Sequence, residues 1–204
     1  MKEAVAKGAK LIVADPRKIP LVKFATLWLR HRPGTDSVLL NAIMNAILAE
    51  GLEDKEFINA KTEGYADFVK SLASFTPEFG EEVTGVPAED IRKAARIYGS
   101  AKNAGIYYAM GITQHVMGTY NVHAVGNLAL LTGNIGKRAA GVNPLRGQHN
   151  VQRACDMGGL PNVYPGYQKI DDPLVKEKFE KAWGKTLSGK IGLPATEMTG
   201  AMLS

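Results

Sequence analysis

Leu11-Ile-Val-Ala-Asp-Pro-Arg-Lys18 begins with four apolar residues in succession and ends in turn chemistry. A short unbroken apolar run suits a strand buried on both faces, as in a parallel sheet. Asp15 follows the run directly, and open α/β sheets hold ligands there, just outside the carboxyl ends of their strands. Residues 2–9 ahead of it read as the end of an amphipathic helix, as if the chain began in mid-fold. Gly105-Ile-Tyr-Tyr-Ala-Met-Gly111 reads as a second strand.

Helical patterns fill the interval. Residues 20–32 are less regular, and Pro33-Gly34-Thr35-Asp36 then gives a turn and a helix start with Thr35 or Asp36 as N-cap. Val38, Leu39, Ile43, Ala46, Ile47 and Leu48 fall at helical spacing, and Gly51 supplies the stop. Residues 54–60, 64–71 and a stretch opening at Thr76-Pro77 read as short helices. Pro87 starts a longer one whose stripe is Ile91, Ala94, Ala95 and Ile97. Residues 119–131 carry Val122, Val125, Leu128, Ala129 and Leu131, and Thr132-Gly-Asn-Ile-Gly136 ends that helix. Beyond Leu160 the chain is rich in Gly and Pro, with a helix at 173–183 and a helix start at 196–204. Strand, helices, strand, helix is an α/β order. The expectation is a Rossmann-like three-layer segment with a parallel sheet, with too few strands for a complete doubly wound fold. Residues 1–150 form its α/β domain, and 151–204 form a loop continuation and irregular tail.

Composition narrows the function classes. A chain of 204 residues, 45% hydrophobic, can bury one core. No apolar run approaches the roughly 18 residues of a membrane span, and the polar N-terminus is not a signal peptide. The net charge of +5 comes from scattered Lys and Arg without interleaved aromatics. That pattern suits anionic ligand phosphates better than nucleic acid. The single cysteine, Cys155, excludes an internal disulfide and fits a cytoplasmic setting. Without a CxxC the chain alone holds no cysteine-ligated iron–sulfur cluster. His31, His115, His123 and His149 lack metal-ligand spacing, so no metal ligand is expected.

Several residues carry possible chemistry beside a plainer reading. Asp15 and Arg17 after a strand can bind a nucleotide, but Asp-Pro is also a common strand-ending turn. Thr35 and Asp36 can be a helix cap, or a cap that also receives guanine or phosphate. Met110 is either core filler or a ligand contact, and Gln114 is either solvated or reading a ligand. Gly133-Asn-Ile-Gly136 lacks the order of a nicotinamide-binding turn, and no P-loop is present. Cys155 reads more simply as an inert thiol than as a nucleophile. Arg146 lies in a loop with Gly147, Gln148 and Asn150, where small and amide residues allow close approach. Its planar fork matches a carboxylate bidentately, although spacing alone reads it as a surface arginine.

The order and spacing of several segments resemble the molybdopterin oxidoreductases. They are Ala14-Asp-Pro-Arg-Lys18, Arg32-Pro-Gly-Thr-Asp36, Glu50-Gly-Leu-Glu-Asp-Lys-Glu-Phe-Ile58, Tyr108-Ala-Met-Gly-Ile-Thr-Gln114 and Asn127-Leu-Ala-Leu-Leu-Thr-Gly-Asn-Ile-Gly136. Gly141-Val-Asn-Pro-Leu-Arg-Gly-Gln-His-Asn-Val-Gln-Arg-Ala-Cys-Asp-Met-Gly158 and Pro161-Asn-Val-Tyr-Pro-Gly-Tyr167 resemble the formate dehydrogenase branch in particular. The resemblance implies the central part of a larger multidomain catalytic subunit, which oxidises formate to carbon dioxide at a molybdenum or tungsten bis-molybdopterin guanine dinucleotide centre. It implies that Asp15, Arg17, Thr35, Asp36, Met110 and Gln114 contact the cofactor. It also places Gly147 and Gln148 beside the metal centre and Arg146 on formate.

The family's N-terminal cysteine cluster, its cysteine or selenocysteine metal ligand followed by histidine, and its C-terminal cofactor domain have no counterpart here, and His149 replaces an expected asparagine. The iron–sulfur cluster is therefore expected only in other parts of a full subunit. The chain is expected to be a middle fragment or one piece of a split subunit, inactive alone. Its partners are then the remaining domains and electron-transfer subunits, and its exposed inter-domain face favours self-association. A nitrate reductase-like enzyme and a non-catalytic nucleotide-binding module are the alternatives.

Overall fold

In a computed structural model, which describes residues 1–202, the apolar run after Leu11 becomes β1 (Ile12–Ala14). Leu203 and Ser204, the end of the helix start expected at 196–204, lie outside the described residues. Two units are distinguished, Met1–Leu145 and Arg146–Ser204.

The first unit starts with α1 (Lys2–Ala6) and β1, then passes through a 3₁₀ turn at Pro20–Phe24 into β2 (Leu27–Leu29). β2 runs parallel to β1 with Val13 opposite Trp28. It lies inside the stretch that reads as irregular in the sequence, because three residues are too few to show a period. Five helices follow: α2 (Asp36–Ala49), α3 (Lys55–Lys61), α4 (Tyr65–Leu72), α5 (Pro77–Thr84) and α6 (Ala88–Gly99). β3 (Gly105–Tyr108), α7 (Met110–Thr113), α8 (Gly118–Leu131) and β4 (Gly141–Pro144) complete the unit. The second strand therefore ends at Tyr108, short of the expected Gly111. Ala109, at φ −142° and ψ −144°, turns the chain into α7. β3 and β4 pair in parallel, Gly105 opposite Gly141. Parallel pairing agrees with the α/β order, and it comes as two separate two-stranded pieces.

α2 is the centre of the core and packs against α4, α5, α6 and α8. Leu39, Ala42, Ile43, Met44, Ala46 and Ile47 are all buried, so apolar residues cover most of its circumference, as a central helix requires. Gly80 of α5 allows a close approach, since a Cβ there would meet Ala42 Cβ and Ile91 Cδ1 at 2.8 Å. The α8 terminus is fixed by Asn134, which is fully buried. Its Oδ1 accepts the Ala104 N–H at 2.9 Å, and its Nδ2 donates to Thr132 Oγ1 at 2.9 Å. The Gly133-Asn-Ile-Gly136 segment thus has a structural duty, joining the end of α8 to the start of β3. Gly133 sits at φ +61°, and a Cβ there would collide with the Asp54 carboxylate.

The second unit contains α9 (Val151–Asp156), a β5 (Val163–Tyr164) and β6 (Gln168–Lys169) hairpin, α10 (Pro173–Trp183) and α11 (Ala195–Ala201). Its small core is aromatic, with Phe179 centred 4.8 Å from Tyr164 and 4.9 Å from Trp183. Asp172 caps α10 by accepting the Leu174 N–H at 2.9 Å and the Val175 N–H at 3.3 Å, and Pro173 occupies the first turn. Among the described residues no helix is long and apolar enough to cross a membrane.

Candidate functional site

Asp15 stands at the end of β1, where its carbonyl accepts the Trp28 indole N–H at 2.9 Å. Its carboxylate folds back on its own turn. Oδ1 accepts the Arg17 N–H at 2.7 Å, and Arg17 Nε is 3.9 Å from the same oxygen. The Arg17 side chain itself is 85% exposed. The strand-ending turn and the exposed charge therefore coexist: the backbone of Arg17 is held while its guanidinium stays available.

The start of α2 is more committed. Thr35 Oγ1 donates to the Arg32 carbonyl at 2.6 Å, and the Thr35 carbonyl accepts the Leu39 N–H at 3.0 Å. The Thr35 hydroxyl makes no capping bond to α2. Asp36 is buried, and its Oδ1 lies 3.0 Å from Nε2 of buried His31. His31 Nδ1 lies 3.5 Å from the Leu29 carbonyl. Burial opposes charge on both groups, but the hydrogen bond and the opposite charge outweigh it. His31 is raised above its ordinary range and Asp36 is lowered. The pairing of His31 with Asp36 is not legible in the sequence, because the contact crosses the Pro33-Gly34 turn and follows no period. His31 also feels the nearby carboxylate of Asp15, a weaker influence in the same direction as that of Asp36.

Met110 and Gln114 bracket α7. The Gln114 N–H donates to the Met110 carbonyl at 2.9 Å, and both side chains are exposed. α7 is tied to α8 by Asn121 Nδ2, which donates to the Ile112 carbonyl at 3.0 Å. Gly118 permits this junction, since a Cβ would strike the Thr113 carbonyl.

Arg146, Gly147 and Gln148 open the second unit and are exposed. Arg146 Nη2 donates to Gln152 Oε1 at 3.2 Å. Gln152, Asp156 and Tyr167 bond to one another behind it, which sequence reading did not anticipate because α9 is short and polar. Cys155 is a free, half-buried thiol. Among the described residues no group of three or more His, Cys, Asp or Glu side chains is placed to hold a metal ion. Chemically, the first unit offers a carboxylate and a cation at a strand end, and the second offers an exposed guanidinium beside a glycine with open space around it.

Residues 1–199 match the family model for molybdopterin oxidoreductase. The chain is 50% identical over 195 residues to the F420-dependent formate dehydrogenase 1 subunit alpha of Methanococcus maripaludis, covering 96% of this chain and 29% of that protein. It is 48% identical over 196 residues to formate dehydrogenase H of Escherichia coli, covering 96% of this chain and 27% of that protein. Among solved structures, acetylene hydratase from Pelobacter acetylenicus matches with a TM-score of 0.66 and 31% identity, over 68% of this chain and 19% of that one. The chain thus spans less than a third of the curated relatives it matches. With the family model covering nearly all its length, the chain belongs to the molybdopterin oxidoreductase family.

Proposed function

We propose that this chain is the segment of a formate dehydrogenase catalytic subunit that cradles a molybdopterin guanine dinucleotide and presents Arg146 to formate. The observation that carries the reading is Arg146 itself, an exposed guanidinium in a segment with high identity to two formate dehydrogenases. Formate is the smallest carboxylate, and a planar fork with a permanent charge pairs with it in a fixed orientation. Arg146 binds and orients the substrate, an electrostatic and positioning contribution.

The donor set suits a guanine dinucleotide in kind. Asp15 supplies a carboxylate for the base's N–H groups, and Arg17 supplies an exposed cation for phosphate. Thr35, Met110 and Gln114 border that region in this reading, and Gly147 and Gln148 approach the pterin. Asp36 is buried against His31, so in this reading it acts at one remove. When bound, the pterin-held molybdenum or tungsten supplies the acceptor for the electrons that leave formate. Residues 1–150 form part of the dinucleotide domain, and 151–204 lead toward a further domain. Other parts of the full subunit supply the iron–sulfur cluster and, with partner subunits, carry electrons onward in the cytoplasm. Tyr107, Val116, Met117 and Tyr120 are exposed on the first unit, which supports a covering domain or self-association of the isolated chain.

The test is formate oxidation by a full-length subunit carrying Arg146→Lys. Lysine keeps the charge and loses the fork, so kcat/KM is expected to fall about 100-fold. An unchanged kcat/KM removes the assignment.

A further inference from the structure

Gln152 uses both ends of its amide. Oε1 accepts from Arg146 Nη2 at 3.2 Å, and Nε2 donates to Asp156 Oδ1 at 3.0 Å. Tyr167 closes the circuit, giving its hydroxyl proton to the same Asp156 oxygen at 3.0 Å, with Gln152 Nε2 3.4 Å from the phenol oxygen. These partners fix the sense of the amide. A flip would set Oε1 against a carboxylate and the NH₂ group against a guanidinium. Tyr167 sits at φ +58°, a region that bulky side chains rarely adopt and that marks functional sites when the surroundings hold it. Its turn is seated closely on the chain after α9: a Cβ on Gly158 would meet Pro165 N at 2.9 Å.

We propose that Gln152 is a positioning residue for Arg146, with Asp156 and Tyr167 as the brace that holds it. The inference rests on the assignment of Arg146 to the substrate carboxylate. Either Nη2 proton can go to Gln152, and one two-donor edge of the guanidinium stays whole for formate. The acceptor is a neutral amide, so it orients the fork without cancelling the charge that attracts the anion. The nearest carboxylate in the network, Asp156, is held one residue back, bonded to Gln152 and Tyr167.

Two variants of the full-length subunit test this, assayed beside Arg146→Lys. Gln152→Met keeps length and removes the acceptor. It is expected to lower kcat/KM for formate about tenfold, mostly through KM. Tyr167→Phe releases the brace and gives a smaller change in the same direction. Adding Gln152→Met to Arg146→Lys costs nothing further, because the two act as a unit. A second readout needs no cofactor. In the ¹⁵N-arginine-labelled 204-residue chain, Arg146 Nη2 protons exchange with solvent more slowly than those of a free arginine, and Gln152→Met abolishes the difference. If Gln152→Met yields no folded enzyme, Tyr167→Phe and its effect on that exchange decide. Unchanged formate kinetics in both variants, or no protection of Nη2, overturn the positioning role while an impaired Arg146→Lys leaves the substrate assignment standing. Full activity in Arg146→Lys removes the substrate assignment instead.

Discussion

In the first unit Met44, Ile47 and Ile91 are sealed from water at the meeting of several helices. The second unit buries Val163, Tyr164 and Phe179, and turns Arg146, Gln152 and Tyr167 outward to bond with one another. One region is held by apolar area, which tolerates little change of volume. The other shows an ordered polar loop on a small aromatic base. Such a division suits a scaffold that must not move and a loop that must meet a ligand.

The sharpest way to break this contrast is to open the apolar core. Ile47→Ala should cost about 3 kcal/mol, read as a lower denaturant midpoint of the 204-residue chain. A loss under about 1 kcal/mol would mean that the core collapses freely and the contrast is overstated. Next is Asn134→Ala, which leaves the Ala104 N–H without its acceptor and should cost about 2 kcal/mol by the same measurement.

The His31–Asp36 pair adds a pH dependence to the first unit. The raised His31 stabilises the fold fully below its ordinary value of 6.5, and that contribution fades as pH rises through its folded value. The lowered Asp36 contributes above its ordinary value of 3.8, and loses this as pH falls through its folded value. The stability gap between the parent chain and Asp36→Asn should therefore peak between those two values, at about 1.5 kcal/mol, and narrow on either side. A gap that is flat from pH 4 to pH 8 would show that the two groups do not shift each other's titration. The smallest effect belongs to the second unit. Asp172→Ala removes the cap of α10 and should cost about 1 kcal/mol, seen as faster amide exchange at Leu174 and Val175.

The legible parts of the sequence were those with a long period or strong punctuation. α2, α6 and α8 showed themselves through apolar spacing, and Leu39, Ile43, Ile47, Ile91 and Leu128 are buried as that spacing implies. β4 was hidden because Gly141-Val-Asn-Pro144 is written in turn residues and becomes a strand through its pairing with β3. β2 and α9 are too short to carry a period. At the candidate site, the strand-end position of Asp15 was readable. The commitment of Asp36 to His31 and of Arg146 to Gln152 was not, since each depends on a turn geometry that brings two polar side chains face to face.

The Asn134 bond to Ala104 bears on the order in which the chain assembles. β3 and β4 are separated in sequence by α7 and α8, so their pairing must close a long loop, which is slow. Once α8 has formed, Asn134 captures the backbone just ahead of β3. Residues 135–140 are then the whole of the slack between that anchor and β4. With that bond made, aligning β4 on β3 is a local problem rather than a distant one, and a single buried amide ties the end of the helix to the start of the sheet.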